Sequence, residues 1–135
     1  MKQCAVLYID PRKQPSGHHV VLKRIGFVVQ VTSTWPDDDS LLAADVVVVR
    51  VHLARAPMVA ARLRARAGFG RRLLIALVPS TVSRTERRAA IVSGFDDVAT
   101  ERSAPRELGI RVLRQLRARV DADCVLPQDG KRSAA

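Results

Sequence analysis

Asp45-Val46-Val47-Val48-Val49-Arg50-Val51 is the stretch whose reading decides the fold. Four consecutive valines show no apolar–polar alternation, so both faces of the segment must be covered, as in a buried parallel strand. Working outward, comparable apolar runs recur at 4–9, 27–31 and 73–78, with a shorter one at 97–100. Helical stretches separate them. The first begins near Gly17, carries Val21, Leu22 and Ile25 on one face, and stops at Gly26. After a loop containing Trp35 and Pro36, Asp39 or Ser40 is expected to cap a short helix reaching Ala44. The Asp37-Asp38-Asp39 run reads as helix-start chemistry rather than a cation site. Pro57 suits a helix start. Val59, Leu63 and Ala67 then face inward over 58–67, with Arg62, Arg64 and Arg66 mostly outside. Ser83-Arg84-Thr85-Glu86 is a capping box, and Gly94 closes the helix it opens. Ser103 and Pro105 start a last helix with Leu108, Val112, Leu116 and Val120 on one face.

Five strands alternating with helices imply an α/β, doubly wound, five-stranded parallel sheet of the flavodoxin-like kind, with helices on both faces. The 135 residues suit one domain, expected over 1–122, followed by a flexible tail over 123–135. The net charge is +10, almost all of the excess being arginine, while aromatics are 4%. Such a charge invites an acidic partner, although abundant Arg, Ala and Val also suit a GC-rich genome. No apolar run approaches the roughly 18–20 residues that span a bilayer, and the start lacks a signal-peptide core, so no membrane is expected. Cys4 and Cys124 are the only cysteines, with no CxxC and no His cluster. Neither a disulfide framework nor a metal site is expected, and a cytoplasmic location fits. In doubly wound sheets the chemistry gathers at the carboxyl ends of the strands. Residues 10, 50–53, 78–81 and 100–102 are therefore the ones to interrogate.

Three segments carry a family resemblance. Gly94-Phe95-Asp96-Asp97-Val98-Ala99-Thr100, followed by Pro105-Arg106-Glu107-Leu108, is the strongest. Val21-Leu22-Lys23-Arg24-Ile25-Gly26-Phe27 and Ala44-Asp45-Val46-Val47-Val48-Val49 add to it by order and spacing. Over about residues 4–120 the chain resembles the receiver (CheY-like) domain of two-component response regulators. That resemblance implies a phosphoryl-accepting Asp at the end of the third strand, an acidic pair after the first strand for Mg²⁺, a Ser/Thr after the fourth and a Lys-Pro pair after the fifth. Here these positions carry Arg50, Asp10 beside Pro11, Pro79 or Ser80, and Glu101 with Arg102. An arginine stays protonated and offers no lone pair to phosphorus. One carboxylate beside a guanidinium is a poor Mg²⁺ site. The chain thus resembles a degenerate receiver, or pseudo-receiver, with no catalytic residue and no cofactor expected. Asp10, Arg50, Ser80 and Glu101 form its altered pocket, and an Asp10–Arg50 ion pair is one expectation for it.

The resemblance also implies a partner and dimer surface on the fourth helix, fifth strand and fifth helix. Arg84, Arg87, Arg88, Arg111 and Arg114 would make that surface basic. The expected role is phosphorylation-independent protein–protein interaction by a stand-alone domain in bacterial signal transduction, with a second copy as one form of partner. A receiver still phosphorylated by a histidine kinase is the alternative. Nucleic acid ranks below a protein partner, because no aromatics interleave the basic residues and no helix-turn-helix follows.

Overall fold

The computed structural model describes residues 3–12, 17–66, 68–119 and 124–127. Five parallel strands form one sheet: β1 (Ala5–Ile9), β2 (Val28–Thr32), β3 (Val46–Arg50), β4 (Leu73–Val78) and β5 (Asp97–Thr100). Their order is β2-β1-β3-β4-β5, the doubly wound arrangement expected. Leu7 pairs with Val47, Val48 with Ile75, and Ile75 with Asp97. Every residue of β4 is buried, as are Val46 to Val49, which is why these strands read as unbroken apolar runs.

Alternate strand residues feed two cores. On one side Leu7, Val47, Val49, Leu74 and Ala76 meet α2 (Asp38–Ala43), α3 (Ala56–Arg64) and α4 (Arg84–Ser93) through Leu41, Ala60, Leu63 and Ala90. On the other, Val6, Tyr8, Val46, Val48 and Ile75 meet α1 (His18–Ile25) and α5 (Arg106–Arg117) through Leu22, Leu108, Val112 and Leu116. Each fully buried Leu, Ile or Val contributes about 1.5–3 kcal/mol of transfer free energy.

The capping box forms as expected: Ser83 Oγ accepts from Glu86 N at 3.1 Å, and Glu86 Oε1 from Ser83 N at 2.9 Å. Gly94, at φ 133°, ends α4. Other local expectations shift. Asp37, not Asp39 or Ser40, caps α2, accepting from Ser40 N at 2.8 Å. A 3-10 turn at Leu53–Arg55 precedes α3, whose buried face is Ala56, Ala60 and Leu63, leaving Val59 half-buried. Ala67 and Val120 lie outside the described residues.

Arg64 and Arg66 do not simply face solvent. Arg64 donates to the carbonyls of Gly94 and Arg72 and pairs with Asp96 at 2.9 Å. Arg66 joins Asp38 at 2.5 Å and the Pro36 carbonyl at 3.1 Å. Arg72 donates to four carbonyls, those of Leu42, Ala44, Gly68 and Phe69.

The cysteines correct the expectation of unpaired thiols. Cys4 and Cys124 are joined by a disulfide, both buried. Gln3 and Val125 form a parallel bridge beside it. Within the tail expected over 123–135, Cys124 and Val125 are held at the start of β1. Residues 128–135 lie outside the described residues. No described helix is long and apolar enough to cross a membrane.

Candidate functional site

The strand order reverses between β1 and β3, so the crevice beyond their carboxyl ends is where this architecture places ligands. Asp10 follows β1 directly, its amide donating to Thr32 O at 2.9 Å, and its side chain is fully buried. The expected partner was Arg50. The structure instead pairs Asp10 with Arg12, two residues on. Arg12 Nε lies 2.9 Å from Oδ1 and Nη2 2.6 Å from Oδ2, while Arg12 N donates to Oδ1 at 3.0 Å. This is a fork-on-carboxylate contact closed within a tight turn. The same Nη2 is 2.6 Å from Glu101 Oε2. Arg50 Nε, at the end of β3, is 3.4 Å from Glu101 Oε1. The result is an alternating chain, Asp10–Arg12–Glu101–Arg50, spanning the ends of β1, β5 and β3. Its two cations and two anions balance.

Asp10, Arg50 and Glu101 are thus brought together, and Glu101 is an active member rather than a loop carboxylate in solvent. Ser80 is not brought in. It is exposed, and it enters only through its carbonyl, which accepts from Thr100 Oγ1 at 2.7 Å. Arg12 was missed by the sequence reading. Its signal was its place two residues past a strand-end Asp, where a side chain can fold back onto that carboxylate.

Burial pushes the Asp10 carboxyl up, but the Arg12 hydrogen bonds and the charges of Arg12 and Arg50 outweigh it, and the group titrates below the usual Asp range. The Asp10 hydrogen bond, against the cost of burial and with Glu101 adding to it, holds Arg12 more firmly protonated than usual. His18, at the start of α1, is 4% exposed, and burial lowers its pKa despite the pull of Glu101. A cradle with its carboxylates already occupied by guanidinium groups has little to offer a divalent cation.

A second constellation occupies the face of α4, β5 and α5. Asp97, buried at the start of β5, accepts from Arg111 Nη1 at 3.1 and 3.2 Å. Arg87 Nη1 bonds the Val98 carbonyl and lies 3.4 Å from Asp97 Oδ1. Glu107 Oε1 lies 3.1 Å from Arg111 Nε, one helical turn away. Two of the five expected surface arginines, Arg87 and Arg111, are therefore committed to holding β5 against its helices. Arg84, Arg88 and Arg114 are exposed. Apolar side chains are exposed among them: Val92 is 82% exposed, Ile91 42% and Ile110 36%. The exposed part of this face is mixed, basic and aliphatic.

No family model matches the chain. No curated protein matches it by sequence either. Solved structures do. The chain is similar to an atypical orphan response regulator described as having a phosphorylation-independent regulatory mechanism, at 22% identity and TM-score 0.64, covering 85% of this chain and 97% of that one. It is similar to the signal receiver domain of a DNA-binding response regulator from Colwellia psychrerythraea, at 13% identity and TM-score 0.61, covering 87% and 100%. A pilus assembly-related protein from Burkholderia pseudomallei also matches, at 17% identity and TM-score 0.62, covering 93% and 95%. The fold is that of CheY-like receiver domains.

Proposed function

We propose that this chain is a phosphorylation-independent pseudo-receiver acting in the cytoplasm in bacterial signal transduction, through a protein partner bound at the face of α4, β5 and α5. The observation that carries this reading is Arg50 at the end of β3, tied through Glu101 and Arg12 to Asp10. A receiver needs an ionised carboxylate there to attack phosphorus and Mg²⁺ to neutralise the transferring group. This crevice has guanidinium groups in both positions, which leaves no nucleophile and no open carboxylate pair for the metal. The phosphorylation-independent mechanism of the orphan regulator supports the same reading by analogy of fold.

Ile91, Val92 and Ile110, exposed on the same two helices as Arg84, Arg88 and Arg114, suit an acidic, amphipathic protein surface, a second copy being one candidate. The experiment has two arms. Incubation with acetyl phosphate and Mg²⁺, followed by intact-mass measurement, is expected to leave the mass unchanged; a phosphoryl adduct overturns the reading. Affinity capture from the source cell is then compared between the wild type and Arg88→Glu/Arg114→Glu. Loss of one defined protein in the variant supports the face, and salt-sensitive capture of DNA or RNA instead replaces the protein partner with nucleic acid.

A further inference from the structure

We propose that Cys4, Cys124 and Asp45 form a site for a thiophilic divalent ion, with zinc as the fitting chemistry, that exists when the disulfide is reduced. Cys4 and Cys124 are 0% and 6% exposed. Asp45 sits in the turn between α2 and β3. One donor atom from each of the three residues lies within 4.8 Å of the other two. The carboxylate is already held in place, with Asp45 Oδ2 accepting from Ala5 N at 2.8 Å while Asp45 N donates to Ala5 O at 2.8 Å. These bonds fix Asp45 against the residue that follows Cys4.

Two thiolates and one carboxylate at a buried spot match the donor preference of zinc, with the fourth position left to water. Zinc–sulfur bonds of about 2.3 Å in a tetrahedron separate the sulfurs by roughly 3.8 Å. That needs a displacement of about 2 Å from disulfide bonding distance. Short motif spacing is absent because the donors come from three ends of the fold, at positions 4, 45 and 124.

The redox step balances with a dithiol reductant. Two electrons and two protons pass from the dithiol to the Cys4 and Cys124 sulfurs, and the dithiol leaves as its own disulfide. Zinc then displaces both thiol protons to solvent. The covalent and metal-held forms exclude each other, and each holds the 124–127 segment against β1. If the chain works in the reducing cytoplasm, as the proposed function has it, the second form is selected there.

The test is zinc competition against a chromophoric chelator with phosphine-reduced protein, with the two thiols counted in parallel. One zinc per chain is expected, together with thiolate-to-metal charge-transfer absorption when cobalt replaces zinc. The oxidised protein is expected to take none. Asp45→Asn, which retains an oxygen for the Ala5 amide, is expected to weaken zinc by more than about tenfold. Cys4→Ser is expected to abolish the charge-transfer band, and circular dichroism reports whether it folds. Zinc left with the chelator by folded, fully reduced wild type overturns the proposal. So does equal uptake by the oxidised protein, or indifference to Asp45→Asn.

Discussion

Arg12 grips the carboxylate of Asp10 side-on, through Nε at 2.9 Å and Nη2 at 2.6 Å, although only Pro11 separates them in the chain. The contact turns the first loop back across the crevice and makes Arg12 the hinge of the whole charge chain, because its Nη2 also reaches Glu101.

Arg12→Ala leaves the Asp10 carboxylate buried with one backbone donor and without its cation. Breaking such a pair by removing one partner costs several kcal/mol in a dry interior, and about 2 kcal/mol here because Arg12 is itself 32% exposed. Denaturant unfolding measures the loss. Asp10→Ala combined with Arg12→Ala is expected to cost less than the two single losses added, since the orphaned charge is gone.

The pH dependence has two windows. His18 is held below its ordinary 6.5 by burial, so its unfolded form takes up a proton first as pH falls. Stability is full above 6.5 and declines below it. Asp10 is held below 3.8, so its contribution is full above 3.8 and is lost as pH falls through the lower folded value. Unfolding free energy measured across acid pH is expected to show both declines. His18→Gln should remove the first and keep the second.

Arg12→Ala/Arg50→Asp removes both cations of the crevice and places a third carboxylate beside Asp10 and Glu101. The variant is expected to melt lower than wild type in chelator. Mg²⁺ should raise its melting temperature, by an amount equivalent to about 2.7 kcal/mol at a hundredfold excess over Kd. The wild type should not respond. Calorimetry with and without Mg²⁺ separates the two.

Gly94→Ala tests the end of α4. The backbone there has φ 133°, and an added Cβ would stand 3.2 Å from the Ala60 Cβ. A cost of about 1–2 kcal/mol in thermal or chemical unfolding is expected, from the conformation rather than from lost contacts.

The fold was legible because its strongest signals are local. Val46 to Val49 are apolar without alternation because β3 is covered on both faces, and the Ser83–Glu86 box needs nothing beyond one helical turn. The site was half legible. Arg50 and Glu101 stand at strand ends, where the architecture says to look. Arg12 follows a strand in a loop, and loops have no period that marks a direction. The proposed partner face was less legible still. Arg87 and Arg111 read as surface charge, yet Asp97 lies buried beneath them, and α4 turns only Ala90 fully inward, leaving Val92 exposed. Cys124 stands 120 residues from Cys4, a separation at which sequence carries no information about pairing.

Arg72 gives the arginine content a meaning that composition alone concealed. Its planar head satisfies carbonyls from the end of α2 and from the loop after α3 at once, a task that spreads donors across three nitrogens. Lysine, with its donors on one atom, cannot span those four oxygens. A lineage drifting toward adenine-rich codons could exchange exposed arginines such as Arg84 for lysine at little cost, yet would have to keep this one. Genome bias and geometry can therefore be told apart residue by residue, by asking which arginines would survive that drift.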